Sequence, residues 1–359
     1  MRAMTSNALP ADRALAPEHV TARPLSLSNW LLAVAGLIFV MVVIGGITRL
    51  TESGLSITQW NPVSGAIPPM TQADWDRAFE LYKQTPEYLQ INRGMTLDGF
   101  KSIFFWEFLH RQMARLIGLA LMLPLAWFAL KKAIPRGYAP RLIVLVLLLF
   151  MQGAVGWWMV ASGLKDRTDV SHVRLAVHLL SALILFAAVV WTAFDLRGVG
   201  ARRLPVPTIA IWALAVLALQ LMFGAYVAGL NAGYAFSSWP LMGDSLYPAG
   251  APWLTPAIRN FVDNPITVQF VHRWLAFGVL IVAILLARRA KAVGARREAI
   301  LVHAAVGTQI LLGIATLMSG VRLPIAAAHQ ATAVLLLASF LMAAHRISEA
   351  KAIAELRRV

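Results

Sequence analysis

Four histidines sit where their side chains could do chemistry. His110, His178, His272 and His329 each lie about six to eight residues into a long apolar stretch. Ionisable groups inside a bilayer are costly, which makes them functional candidates by default. At 1.5 Å per residue, each imidazole would lie roughly 10 Å below the surface where its stretch begins. A lone histidine on an apolar helix is ordinarily a hydrogen-bonded core residue. Four at one depth, two in each half of the chain, are a pattern that packing alone does not require. Paired imidazoles on facing helices suffice to hold haem iron axially. Zinc would want a third or fourth ligand, and no cysteine or aspartate joins the set. Ala114, Ala182, Ala276 and Ala333 each follow one of the histidines by four residues, leaving room for a flat porphyrin. Alanine is common in this chain, so these positions only support the reading.

Glu107 precedes His110 by three residues, on the same helical face one turn away. Its counterpart before His272 is Gln269, nearly isosteric but unable to carry charge or accept a proton. Either Glu107 pairs with Arg111 at i, i+4, or one half of the chain runs a reaction while the other only holds a haem. Arg111 and Arg273 follow their histidines directly, where guanidinium groups could meet haem propionates. The alternative is that they snorkel to the interface or pair with Glu107 and Gln269. His19, His303 and His345 are read as having no such role, and His172 as a possible contact to a ligand's polar edge.

The elements that position these residues are membrane helices. The chain has 359 residues, 59% of them hydrophobic and 14% charged, with a mean hydropathy of +0.67. That is far from a soluble domain, in which about a quarter of residues are charged. Eight stretches reach the roughly 20 apolar residues needed to cross a bilayer: about 29–48, 103–130, 140–161, 171–194, 206–230, 264–287, 298–318 and 323–345. With the N-terminus inside, the inner tails and connections hold 19 Lys/Arg against 6 Asp/Glu, and the outer ones 9 against 10. The positive-inside rule therefore places both termini in the cytoplasm. It also accounts for the net charge of +15 without nucleic acid. The long outer loop 49–102 carries Trp75, Phe79 and Tyr82 at helical spacing. That is one amphipathic helix, lying along the membrane surface or packed as an ordinary loop helix.

The chain is also written twice. Glu107-Phe-Leu-His-Arg111 reappears as Gln269-Phe-Val-His-Arg273, and Val177-His178 as Ala328-His329. Gln152 matches Gln309, Gly156 matches Gly313, and Gly45 through Trp60 matches Gly224 through Trp239. Four spans per half is even, so the repeat must be parallel. The expected architecture is an all-α integral membrane protein of two four-helix bundles. Residues 1–28 form an inner tail, 29–197 the first bundle, 198–205 a linker, 206–345 the second bundle and 346–359 a second inner tail.

Taken together, Gly45-Gly-Ile-Thr-Arg-Leu-Thr-Glu-Ser-Gly-Leu-Ser56, Glu107-Phe-Leu-His-Arg111 with Arg115, His178, Gln269-Phe-Val-His-Arg273 and His329 resemble the haem A synthase family. The resemblance runs from about residue 29 to 345. It implies a membrane oxidoreductase that converts a methyl group of haem O to the formyl group of haem A for cytochrome oxidase. It implies haem O between His110 and His178, with Glu107 assisting by proton acceptance or by stabilising a developing cation. It implies a resident haem b on His272 and His329 that passes electrons. Haem O synthase, cytochrome oxidase assembly components and an electron donor that the sequence does not name would be partners, in the cell inner membrane with the haem sites near its periplasmic side. Some family members carry a cysteine pair in their outer loops. This chain has none, so a thiol relay cannot operate here.

Two rival readings use the same features. A di-haem b-type electron-transfer cytochrome without substrate turnover would need the same four histidines. A parallel-repeat transporter would hold no haem and would break its helices near mid-membrane.

Overall fold

The computed structural model describes residues 23–165, 167–198 and 204–357. Residues 1–22 of the expected inner tail, with His19, lie outside that range, as do 199–203 of the linker and the last two residues. In chain order the helices are α1 (Pro24–Leu50), α2 (Gln72–Tyr82), α3 (Pro86–Gln90), α4 (Leu97–Leu130), α5 (Ala139–Val160), α6 (His172–Arg197), α7 (Thr208–Gly229), α8 (Pro265–Ala292), α9 (Arg296–Met318) and α10 (Leu323–Leu356). The described residues contain no strand, only an isolated bridge between Met242 and Ser245. Eight of the helices are long and apolar enough to cross a membrane. They are α1 and α4 to α10, so the chain is an all-helical, multi-pass membrane protein.

Local chemistry fixes where the site-bearing helices begin. Thr96, Ser171 and Asn264 cap α4, α6 and α8, each side-chain oxygen accepting a backbone N–H of the first turn. Proline opens α8 and α10, where its missing N–H costs nothing. Helices overrun the apolar stretches at several ends. α8 continues through Arg288, Arg289 and Lys291, and α10 runs to Leu356. Hydropathy marks where lipid ends, whereas backbone hydrogen bonding and caps decide where a helix ends.

The largest excess is at the start of α4. Leu97–Ser102 project beyond the expected boundary and carry Phe100 into an aromatic cluster with α2. Phe79 and Tyr82 stack on Phe100 at 5.0 and 5.3 Å, and Trp75 packs edge-on to Phe104 at 5.0 Å. The apolar face of α2 is therefore packed against protein, as the loop-helix placement expects.

The main core joins α1, α4, α5 and α6 with α7, α8, α9 and α10 through one continuous set of buried apolar side chains. α1 and α6 meet α7 and α10 along the line between the two sets. Two glycines make that approach possible. A Cβ on Gly46 would collide with Gln330, whose amide donates to the Val42 carbonyl at 2.8 Å. A Cβ on Gly229 would lie 2.6 Å from the Cβ of His172.

Candidate functional site

His110, His178, His272 and His329 come from α4, α6, α8 and α10, which all start from the side bearing the long loops. His178, His272 and His329 lie six or seven residues into their helices, while His110 lies deeper in α4 by the projecting turns described above. All four rings are half-buried. His110 and His178 are near enough to interact electrostatically, as are His272 and His329.

Each ring rests against a glycine of the adjacent helix in the first or third position of its half. A Cβ on Gly156 or Gly313 would sit 2.9 Å from Cε1 of His178 or His329, and one on Gly224 would sit 3.0 Å from Cε1 of His272. On Gly45 it would be 3.1 Å from Nε2 of His110. A side chain at Gly156 or Gly313 would force the imidazole to shift, and one at Gly224 or Gly45 would crowd it by a few tenths of an ångström. The repeated glycines of the sequence are thus the sockets of the repeated histidines.

Buried polar atoms test whether iron fits these residues. Nδ1 of His272 and of His329 is buried without a hydrogen-bond partner, as are Oε1 of Gln220 and of Gln309. Those glutamines belong to the same sites: Gln220 donates to the His272 carbonyl at 3.0 Å, and Gln309 lies 3.4 Å from His329 Nε2. A histidine bound to iron through Nε2 carries its proton on Nδ1 and needs a nearby acceptor. Ring nitrogens buried without a protein partner fit imidazoles that hold iron, while Gln220 and Gln309 turn their amide N–H₂ toward these histidines. No group of three or more His, Cys, Asp or Glu that could hold a metal ion occurs among the described residues.

Glu107 is almost fully buried, and its carboxylate is met only by donors. Ser56 Oγ and Ile57 N–H donate to Oε2 at 2.7 and 2.8 Å, and Arg111 Nη2 and Nε donate to Oε1 at 2.7 and 3.1 Å. Charge-assisted bonds of this kind are about twice as strong as neutral ones. The equivalent amide, Gln269, instead donates Nε2 to the Phe236 carbonyl at 3.1 Å and accepts from Arg273 Nη2 at 3.2 Å. Phe236 occupies the repeat position of Ile57. The loop peptide therefore presents N–H to a carboxylate in one half and C=O to an amide in the other.

Arg111 and Arg273 hold the loops. Arg111 also donates to the Ile57 and Gln59 carbonyls, and Arg273 to those of Phe236, Ser238 and Leu241. Arg115 adds Asn61 and Pro62 in the first half alone. The glycine-rich segment after α1 is wired in the same way. Thr48 Oγ1 donates to the Ile44 and Trp106 carbonyls, and Arg49 meets Asp169 at 2.8 Å and Asn231 at 3.1 Å.

Other ionisable residues turned out differently. His172 lies beside Asp263 at 3.2 Å, with Tyr226 edge-on. His303 reaches only its own helix, at the Ala299 carbonyl. His345, for which the sequence offered no role, is buried 3.0 Å from Asp195, which also accepts from Arg141 at 2.5 Å. No spacing rule links those three residues, so the sequence carried no signal for the triad. Gln220 was missed because it has no counterpart in the other half.

Eight membrane helices thus carry four histidines set against glycines and a buried carboxylate under a clamped loop. A family model described as cytochrome oxidase assembly protein, COX15-CtaA, matches residues 28–341. A heme A synthase of Sphingopyxis alaskensis is 51% identical over 350 residues, 96% of this chain and 97% of that protein. One from Rhizorhabdus wittichii is 52% identical over 93% of this chain and 98% of its own length. One from Parvibaculum lavamentivorans is 44% identical over 96% and 100%. The chain belongs to this COX15-CtaA family of cytochrome oxidase assembly proteins.

Proposed function

We infer that the chain is a haem A synthase, oxidising a methyl substituent of haem O to the formyl group of haem A. The relatives' shared name across nearly the whole length supports the reaction. The single observation that carries the assignment of roles is the pair Glu107 and Gln269, one carboxylate and one amide at the same place in two otherwise similar sites.

In this reading α1 and α4 to α6 form the substrate half and α7 to α10 the resident-haem half, two parallel four-helix repeats. His110 and His178 hold haem O, and His272 and His329 hold a haem b, whose contribution is electron transfer. Glu107, aligned by Ser56, Ile57 and Arg111, takes a proton or stabilises positive charge at the carbon being oxidised. Arg111 and Arg273 fix the loops over the sites and lend positive charge to the edge where propionates would face. The loop side is periplasmic, both termini are cytoplasmic, and the membrane is the cell inner membrane. Haem O synthase would deliver the substrate, cytochrome oxidase assembly components would receive the product, and a separate donor would supply electrons. The cytochrome reading leaves Glu107 without a task, and the transporter reading needs helix breaks that α1 and α4 to α10 do not have.

The test is extraction and chromatography of haems from membranes that supply haem O, with and without this chain. Haem A should appear only with it; haem O alone in both would refute the assignment.

A further inference from the structure

A cavity of about 430 Å³ opens beside α4 on the loop side. Arg77 of α2, Arg111 and Arg115 of α4 and the loop between Ile57 and Met70 line it, with Phe104 and Phe108 as its apolar wall. None of the four histidines lines it, nor does Glu107. At about 100° per residue, Phe104, Phe108, Arg111 and Arg115 share a face of α4 turned roughly 100–160° from His110.

Charge and exposure say what this cavity fits. Glu107 offsets Arg111 at 2.7 Å, and Asp74 is committed to its own helix start, accepting from Thr71 N–H and Oγ1 at 3.1 and 2.7 Å. Arg115 meets the loop carbonyls of Asn61 and Pro62 but no carboxylate. Arg77 is exposed and makes no hydrogen bond or close ion pair among the described residues, its charge reaching Asp74 only at longer range. The balance is positive, and Arg77 is free to take an anion. Around the cavity the surface is apolar. Val63, Ile67 and Met70 are 84, 72 and 74% exposed, and Phe105, Leu119 and Leu123 continue an exposed strip along the next face of α4. A free phosphate would need only the guanidiniums; the bare apolar loop and strip suit a ligand that joins an anionic head to hydrocarbon. The second half has no such place. In the register that sets Gln269 against Glu107, Phe277 replaces Arg115, and the connection between α7 and α8 holds only short 3₁₀ turns where the first half has α2.

We propose that this cavity binds the phosphate headgroup of an anionic phospholipid from the leaflet on the loop side, with acyl chains along Phe105, Leu119 and Leu123. Arg77 and Arg115 hold the phosphate, for which the planar fork of guanidinium donors is well matched. The loop that lines the cavity also supplies the Ile57 N–H that Glu107 accepts, so the bound lipid steadies the cover of the candidate site. The lipid site depends neither on the histidine pairing nor on the reaction proposed above, and either can fail alone.

The test uses purified full-length protein in nanodiscs of phosphatidylcholine with stepped fractions of phosphatidylglycerol. Native mass spectrometry counts the phosphatidylglycerol retained, and limited proteolysis reads the loop 57–70. The unaltered chain should retain one phosphatidylglycerol in preference to phosphatidylcholine, and the loop should be cut more slowly when it is present. A basic side chain near an anionic lipid surface contributes about a fivefold preference. Arg77→Ala should therefore lower retention about fivefold and remove the protection, while Arg77→Lys keeps most of both. Arg93, exposed in the same long loop but outside the cavity, is the control. Arg77→Glu should abolish retention and Arg93→Glu should leave it unchanged; equal losses in the two would mean general surface attraction and overturn the site. Unchanged retention in Arg77→Ala would overturn it as well. Protection by inorganic phosphate in pure phosphatidylcholine would assign a free anion, and displacement of phosphatidylglycerol by added haem would assign haem carboxylates; either result would overturn the lipid.

Discussion

Replacing Glu107 with glutamine removes the charge and also turns one acceptor into a donor. The new amide N–H₂ would point at Ser56 Oγ and Ile57 N–H if the carbonyl oxygen stayed on Arg111. Leaving a buried N–H without its acceptor costs about 1–3 kcal/mol, equivalent to roughly 5- to 150-fold in an equilibrium. Loss of a proton-transfer group costs about 10²- to 10⁴-fold in rate. Loop loosening and lost chemistry therefore overlap only at the low end. Haem A formation in Glu107→Gln should fall at least about 100-fold, with haem O or a half-oxidised hydroxy form accumulating. Proteolysis of the segment 51–71 reports the loop separately and should rise by no more than the structural range. Haem A yield close to wild type in folded Glu107→Gln protein would refute the catalytic role, leaving Glu107 as a partner of Arg111 alone.

Four further outcomes follow from particular contacts. Burial pushes the Glu87 carboxyl up to about 8, and the charges of Asp169, Glu52 and Glu107 add to the effect. A carboxyl whose pKa is raised on folding stabilises below its unfolded value of 4.5, and the contribution is lost as pH rises through about 8. Hydrogen exchange in α2 and α3, normalised to the intrinsic base-catalysed rate, should speed up between about pH 4.5 and 8, and Glu87→Gln should flatten that dependence. Gly313→Val would drive a side chain into the His329 ring and should strip the resident haem, read as lost absorbance in purified protein. Asp195→Asn breaks a buried pair with Arg141 at a cost of about 3–5 kcal/mol; melting temperature should drop while the haem spectrum of surviving protein stays normal. Gln269→Glu would set a carboxylate against the Phe236 carbonyl, so it should loosen the second loop in proteolysis without creating new haem A activity.

How much of this the sequence discloses depends on how local the physics is. The eight spans follow from composition over about 20 residues, and Glu107, the four histidines and their glycines follow from comparing one half with the other. Glycine at 156 and 313 reads as a repeat in sequence, but its reason, a ring 2.9 Å away, appears only in three dimensions. The extra turns of α4 were invisible to hydropathy because Thr96 and the aromatic cluster, not lipid, set that boundary. The roles of Arg111 and Arg273 were read as open between propionates and helix neighbours. Neither reading anticipated the loop carbonyls, because a backbone acceptor has no sequence signature. Asp195, His345 and Arg141 meet across three helices.

The most direct measurement is the low-spin haem signal of purified protein carrying His272→Ala or His329→Ala, compared with the unaltered chain. Loss of the tightly bound haem from both variants is the expected result. An unchanged bis-imidazole spectrum in both would contradict the paired-histidine account.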